Sequence, residues 1–373
     1  MVFGTRPEAI KMAPLFYSLK ANQKLFDVKI CVTGQHRQML DQVLNIFDIS
    51  PDFDMNIMKS GQDLSDITSI ILLKIRDVFK SFSPDILLVH GDTTSAFASS
   101  LAAFYAGVKV GHVEAGLRTY NLQSPYPEEF NRQIISKLSN WHFAPTKTSR
   151  ENLIKEGIDE DLISITGNTV IDSLHWILEK LRTDILKRSN VESYLDSKLD
   201  FDWMNSKYVL ITGHRRENFG DGFLSICSAI KTLSKKYPDN HFIYPVHLNP
   251  NVQQPVKKIL FGLGNVHLID PLEYEFFVYL LSHSYIVLTD SGGIQEEAPS
   301  IGKPVLVMRE TTERPEAVES GTVKLVGKKE RDIIDAVSQL LDDEKKHHSM
   351  SCSVNPYGDG HACEKITDIL KKI

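Results

Sequence analysis

The chain has 373 residues, 42% of them hydrophobic and 24% charged, which suits about two ordinary globular domains and argues against disorder. A formal net charge of −6 and a pI near 6.1 exclude the strong basic excess of a general nucleic-acid binder. No apolar run reaches the roughly 18–20 residues that span a bilayer, no signal peptide is recognisable, and the four cysteines contain no CxxC pair from which a zinc module could be read.

Short apolar runs then alternate with amphipathic stretches, the pattern of βαβ units around a mainly parallel sheet. Helices are expected over Glu8–Asn22, Gln38–Phe47, Asp63–Phe82, Thr93–Tyr105 and Pro127–Leu138, with strands at Val28–Val32, Ile86–His90, Val108–Val113 and Trp141–Ala144. The strand Leu162–Thr166 ends in Gly167-Asn168, a helix Thr169–Leu181 follows, and Thr183–Ser206 reads as a charged, irregular connection. A second series has strands at Tyr208–Thr212, His241–Val246, Val266–Ile269, Ile286–Thr289 and Val305–Met308. The economical architecture is α/β, with two Rossmann-like doubly wound domains. One covers residues 1–168 and is rejoined by a C-terminal helix at about 356–373; the other covers 169–355. Cys31, Cys227, Cys352 and Cys363 read as isolated buried thiols, as suits a reducing cytoplasm.

In such sheets ligands gather at the loops outside the carboxyl ends of strands. Phe3-Gly4-Thr5-Arg6-Pro7-Glu8 is a strand end, a glycine turn and a helix start whose N–H groups and Arg6 suit an anion. Lys11, about one and a half turns on, either lines a cleft or is solvated. His90-Gly91-Asp92-Thr93-Thr94 follows an apolar strand, and Asp92 with its threonines also suits a helix N-cap. Glu114 sits at another strand end between glycines, and Glu128 and Glu129 open a helix whose dipole they also complement. Three acids on neighbouring strand ends can share a pocket and split into acid and base roles.

In the second series Gly213-His214-Arg215-Arg216 reads as phosphate recognition, against an ordinary exposed basic loop. Asp290-Ser291-Gly292-Gly293-Ile294-Gln295-Glu296-Glu297 lets a diphosphate sit at a helix start, with Glu297 able to accept from ribose hydroxyls and Arg309 and Arg314 adding charge. No GxGxxG or GxxxxGK[ST] motif supports redox or P-loop chemistry, and no HExxH or DxD-like metal cluster is present. These residues point to a nucleotide diphosphate bound without a P-loop.

The blocks Phe3–Pro14 (FGTRPEAIKMAP), His90–Thr94 (HGDTT), Gly111–Arg118 (GHVEAGLR), Pro127–Arg132 (PEEFNR), Gly213–Asn218 (GHRREN), Asp290–Pro299 (DSGGIQEEAP) and Thr312–Ala317 (TERPEA) occur in the order found in one family. End to end, the chain resembles the bacterial non-hydrolysing UDP-N-acetylglucosamine 2-epimerases. That likeness implies a glycosyltransferase-B-like fold with an interdomain cleft. It implies reversible conversion of UDP-GlcNAc to UDP-ManNAc by elimination of UDP and its re-addition to 2-acetamidoglucal. Asp92, Glu114, Glu128 and His214 would be catalytic; Arg6, Lys11, Phe277, Ser291, Gly292, Gly293, Glu297 and Arg314 would hold the substrate and its UDP. Gln35, Gln38, Arg215 and His247 match an activating second UDP-GlcNAc site, although an arginine used there by some members is Gly61 here. The likeness also implies no cofactor and no metal, a cytoplasmic homodimer without nucleic-acid or membrane partners, and a product used for cell-surface polysaccharide. Alternatives are a hydrolysing epimerase, a glycosyltransferase of the same fold, or a UDP-sugar sensor without turnover. Only Met1-Val2-Phe3 precede Gly4, a shorter first strand than the family's, which predicts a weaker sheet in the first domain.

Overall fold

Runs rich in Val, Ile and Leu, closed by glycine or polar turns, fold as short parallel strands, and the amphipathic stretches between them return as covering helices. The computed structural model describes residues 1–35, 37–59 and 61–373. The chain divides into two units, Met1–His175 with Tyr357–Ile373, and Trp176–Pro356. Thr169–His175 therefore belongs with the first unit. There Asp172 accepts from the backbone N–H of Ala362 at 3.2 Å and of Cys363 at 2.8 Å, tying the returning helix Ala362–Leu370 in place.

The first unit contains β1 (Val2–Phe3), β2 (Cys31–Val32), β3 (Phe53–Asp54), β4 (Ile86–His90), β5 (Lys109–Val113), β6 (Trp141–Ala144) and β7 (Ile163–Ile165). β1, β2 and β3 form one parallel ladder, β4 to β7 another, and β1 packs beside β4. The expected strand Val28–Val32 is hydrogen-bonded as a strand only at Cys31–Val32. Just before it, Ile30 is bonded irregularly: its N–H donates to Asp52 Oδ2 at 2.9 Å, and its carbonyl accepts from both Asp52 N at 2.9 Å and Phe53 N at 3.0 Å. A pocket of about 690 Å³ lined by Met1, Cys31, Phe79, Ile86, Leu88 and Trp141 lies at this amino end of the strands, away from the polar strand ends.

The second unit carries β8 (Tyr208–Thr212), β9 (His241–Pro245), β10 (Val266–Ile269), β11 (Ile286–Thr289), β12 (Val305–Val307) and β13 (Val323–Leu325). They form one parallel sheet in the order β10-β9-β8-β11-β12-β13. The order reverses between β8 and β11, the switch point at which such folds bind ligands. Val209 and Ile211 of β8 are fully buried with Ile226, Ile230 and Leu233 of the helix Asp221–Lys236 and with Ile333 and Val337 of the helix Glu330–Asp342. Each such side chain contributes about 1.5–3 kcal/mol of burial, so this layer is what holds the switch point rigid.

The stretch Thr183–Ser206 is not irregular. It holds the helix Ile185–Asp196, capped by Asp184, whose carboxylate accepts from Lys187 N at 2.9 Å. Val191 and Leu195, four apart, form its buried face, and the surrounding charges are its solvent side. Cys31, Cys227 and Cys363 are buried free thiols, whereas Cys352 is exposed. Among the described residues no helix is long and apolar enough to cross a membrane.

Candidate active site

The first unit delivers its polar residues on the carboxyl ends of β4, β5 and β7. The helix after β4 spans Thr94–Ala106, and its N-cap is Thr93, whose Oγ1 accepts from Ala96 N at 3.0 Å. Asp92, expected to share that task, is thereby released from the cap. Its Oδ2 instead accepts from both Nε and Nη2 of Arg132 at 2.7 Å, and its backbone carbonyl accepts from Asn131 at 2.8 Å. The enclosed position pushes the Asp92 carboxyl upward; Arg132 opposes this, while the charges of Glu114 and Glu128 push it further up. Asp92, Glu114 and Glu128 thus lie within electrostatic reach of one another.

Glu114 follows β5 directly and holds a left-handed backbone, φ +63°. A non-glycine residue there costs about 1–3 kcal/mol, the kind of strain that clusters at functional sites. Its Oε2 is paired with the Lys11 ammonium and accepts from Asn168 Nδ2 at 2.7 Å, with His90 Nε2 at 3.7 Å. Lys11 is therefore paired rather than solvated. His90 is pushed down to about 4, first by burial and then by Lys11, with Glu114 opposing, so it stays neutral.

Glu128 and Glu129 begin the same helix, Glu128–Leu138, and meet different fates. Glu129 is fully buried and accepts from Thr119 N at 3.0 Å, Tyr120 N at 3.1 Å, Gln133 at 3.0 Å and Arg132 at 3.2 Å. Burial pushes its carboxyl up, but these donors outweigh it and hold it below the usual range. It braces the loop. The Oε2 of Glu128, in contrast, is buried without a hydrogen-bond partner, as a group awaiting a ligand would be.

In the second unit Asp290 ends β11 fully buried and organises the loop after β8. Its Oδ2 accepts from His214 N at 2.9 Å, Arg215 N at 2.8 Å and Asn218 Nδ2 at 3.2 Å. The His214 ring is half exposed, lies 3.6 Å from Asp290 Oδ1, and stacks on His247 with centroids 5.3 Å apart. Partial burial, His247 and Arg215 lower its pKa against the pull of Asp290. A pocket of about 160 Å³ is lined by His214, His247, Phe277, Ser291 and Ile294. Beside Ser291, a Cβ on Gly292 would stand 2.6 Å from Arg314 Nη1, so only glycine lets that guanidinium lie against the turn. Arg314 Nε donates to the buried Glu296 at 2.5 Å, and Glu297 Oε1 accepts from Tyr274 OH at 2.7 Å. Arg309 is spoken for by Glu217 at 2.6 Å and Glu313 at 2.8 Å.

Lys11, Asp92, Glu114 and Glu128 thus come together in the first unit, and His214, Phe277 and Ser291 in the second, with Gly292, Gly293 and Glu297 on the adjoining turn and helix and Arg314 reaching that turn from the start of the helix Pro315–Glu319. Arg6 is the first residue of the helix Arg6–Lys20 and is partly exposed. Gln35 accepts from Ser95 Oγ at 3.0 Å, Gln38 is exposed on the helix Arg37–Ile46, and Gly61 has open space around it. Arg132, Asn168 and Glu8 escaped the sequence reading. Asn168 stands just past β7, so the strand-end rule that found Asp92 and Glu114 also points to it. Among the described residues no group of three or more His, Cys, Asp or Glu is placed to hold a metal ion.

A family model described as UDP-N-acetylglucosamine 2-epimerase matches residues 18–371. A UDP-N-acetylglucosamine 2-epimerase of Campylobacter jejuni is 58% identical over 372 residues, covering 100% of this chain and 97% of that protein. One from Yersinia pestis is 55% identical over 370 residues, with coverages of 99% and 97%. The crystal structure of UDP-GlcNAc 2-epimerase from Neisseria meningitidis bound to UDP-GlcNAc superposes with a TM-score of 0.89 at 54% identity, covering 100% of this chain and 99% of that one.

Proposed function

Because the chain belongs to the UDP-N-acetylglucosamine 2-epimerase family, we propose that it is an isomerase that inverts C2 of UDP-N-acetylglucosamine through elimination and re-addition of UDP. The C2 proton is not acidic enough to be removed and returned alone. Loss of UDP from C1 changes that: the base takes the C2 proton, the C–H electrons form the C1–C2 double bond, and the C1–O bond breaks toward the diphosphate. The bound 2-acetamidoglucal then receives UDP at C1 and a proton on the opposite face of C2, giving UDP-N-acetylmannosamine.

The residues divide the labour by charge. Asp92, Glu114 and Glu128 move protons and hold the sugar. His214 and the Ser291-Gly292-Gly293 turn, with Arg6 and Arg314, take the charge that builds on the leaving diphosphate. Phe277 faces the uracil and Glu297 the ribose. The gathering of Asp92, Glu114 and Glu128 at neighbouring strand and helix ends, with Asp92 enclosed and Glu128 Oε2 buried without a partner, is the observation that carries this reading, because a binding-only protein gains nothing from burying acids together. Family likeness further supports a second UDP-GlcNAc held as activator by Gln35, Gln38, Arg215 and His247. It also supports a cytoplasmic homodimer and a product destined for cell-surface polysaccharide.

Incubation with UDP-GlcNAc in D2O, followed by NMR, tests the reaction. UDP-ManNAc carrying deuterium at C2 is expected. Free ManNAc and UDP would make it a hydrolysing epimerase, and an unchanged sugar a transferase or sensor.

A further inference from the structure

Glu8 is 2% exposed, and none of the ion pairs among the described residues includes it. Its Oε2 accepts from Gly4 N at 3.1 Å, Thr5 N at 2.9 Å and Thr5 Oγ1 at 2.8 Å, which closes a capping box on the helix Arg6–Lys20. A capping box needs no more than that. Yet the other oxygen, Oε1, leaves its own helix and accepts from Thr93 Oγ1 at 2.7 Å. Thr93 is the N-cap of the helix Thr94–Ala106 and the residue after Asp92. One carboxylate therefore fastens two helix starts, and each of those starts presents a residue assigned above to the reaction: Arg6 on one side, Asp92 on the other.

The surroundings leave this clamp little slack. Gly4 sits so close to the next strand end that a Cβ would meet Thr33 Oγ1 at 1.9 Å and Ser95 Oγ at 2.4 Å, and Ser95 and Thr33 are bonded at 2.8 Å. Burial pushes the Glu8 carboxyl up to about 7 despite its hydrogen bonds to Thr93, Thr5 and Gly4. A glutamine would accept from the same N–H groups without burying a charge, so the carboxylate serves something besides local stability.

We infer that Glu8 is a positioning residue, whose bridge from the Gly4-Thr5 turn to Thr93 sets the place of Asp92 against the sugar. The inference rests on the assignment of Asp92 to proton transfer. Glu8→Gln keeps the shape and the bonds from Gly4 and Thr5, but it brings an NH2 donor against the Thr93 hydroxyl. Thr93→Val removes the donor from the other side, and Thr93→Ser restores it.

The test measures kcat, KM and UDP affinity in the whole chain for the wild type, Glu8→Gln, Thr93→Val, Thr93→Ser and the Glu8→Gln/Thr93→Val pair. Amide exchange over residues 4–8 and 91–97 is followed in the same proteins. Loss of kcat by about 10–100-fold in Glu8→Gln and Thr93→Val is expected, the scale set by sub-ångström misplacement of a reacting group. The double variant should be no slower than the slower single variant, Thr93→Ser should be near wild type, UDP affinity should be kept, and exchange should rise in both segments. Full turnover in a folded Glu8→Gln protein, multiplying rather than shared losses, or unchanged exchange at 91–97 would overturn the clamp. A wild type that does not epimerise UDP-GlcNAc would instead strike the functional reading, and the exchange data would still decide whether Glu8 holds the Asp92 turn.

Discussion

The two sheets solve the same folding problem with different interiors. β8 and β11 of the second unit are lined by Val209, Leu210, Ile211, Val287 and Leu288, all fully buried and aliphatic. β4, β5 and β6 of the first unit place His90, His112 and His142 in equally buried positions, and His112 and His142 are register partners. The polar ends differ in the same sense. In the second unit donors surround the acids, Asp290 Oδ2 taking three N–H groups and Arg314 pairing with Glu296, although Asp290 Oδ1 is buried without a hydrogen-bond partner. The first unit gathers acids, so that Asp92, raised first by burial, is pushed further up by Glu114 and Glu128, and a Glu128 oxygen is buried and unpartnered. A donor-rich site suits an anion; an acid-rich one holds groups ready to exchange protons.

The largest effect that tests this division is on turnover. Asp92→Asn, Glu114→Gln and Glu128→Gln should each lower kcat by about 10²–10⁴-fold, the usual worth of a general acid or base. UDP affinity, measured by calorimetry, should stay within about threefold of wild type, since the diphosphate is assigned to His214, Arg6, Arg314 and the Ser291 turn rather than to these acids. Near-normal turnover in all three, or UDP binding lost along with kcat, breaks the comparison.

Arg314→Ala attacks the donor-rich side. It removes the cation paired with Glu296, 1% exposed, and losing one member of a buried pair costs up to about 3–5 kcal/mol. Urea unfolding should register that loss, and UDP affinity should fall while kcat at saturating substrate changes far less than in Asp92→Asn. Arg314→Lys keeps the charge but not the planar fork and should recover only part of the affinity. A stable Arg314→Ala protein would mean that the Glu296 carboxylate is held by other donors.

How much of this contrast was legible beforehand depends on the range of the interactions. Ile86–His90, Trp141–Ala144, Tyr208–Thr212, Val266–Ile269 and Ile286–Thr289 are read to the residue, because each is a buried apolar run closed by a polar or glycine turn. Val28–Val32 is overread because a strand's extent is decided by its partners, and Ile30 bonds the Asp52 side chain and the turn into β3 irregularly instead of extending the ladder. The helix Ile185–Asp196 is missed because its charges outnumber the Val191–Leu195 pair that buries it. The strand-end acids are legible as candidates. Their division is not: Glu128 and Glu129 are identical in type and adjacent, and only donors from Thr119, Tyr120 and Arg132 tell brace from ligand group. Asp92 reads equally well as a cap until Thr93 is seen to take that role.

The buried histidines predict a pH response. Burial first, reinforced by neighbouring cations, holds His90 and His142 down to about 4 and His112 down to about 3, against 6.5 for free side chains; their hydrogen-bonded or acidic neighbours only partly oppose it. The unfolded chain therefore takes up protons at 6.5 that the folded chain refuses until about 4. Their stabilising contribution is present above pH 6.5 and is lost as pH falls through that window, at about 1.4 kcal/mol per pH unit for each group. Glu8 has the opposite sign. Its folded value near 7 lies above 4.5, so its contribution is present below 4.5 and is lost as pH rises through 7. Between 4.5 and 6.5 these four groups together should contribute a rise of stability with pH of about two protons in slope, three from the histidines less one from Glu8. Both ring nitrogens of His142 lack a partner, so His142→Leu should remove one proton from the slope of unfolding free energy against pH. An unchanged slope would show that His142 is hydrated rather than dry.

The smallest effect concerns the base. Phe277 lines the pocket with His214, Pro271, Leu272 and Ser291. If it faces the uracil, Phe277→Leu keeps apolar volume but loses the ring face, which is worth about 0.5–1.5 kcal/mol, or roughly 2–10-fold in UDP affinity. The diphosphate is assigned to other residues, so inorganic pyrophosphate should bind the variant and the wild type alike, and kcat should hold. Calorimetric titration with both ligands separates the cases. Equal losses for UDP and pyrophosphate would show that Phe277 shapes the Ser291 turn instead of meeting the base, and the second unit would then bind its ligand by phosphate geometry alone.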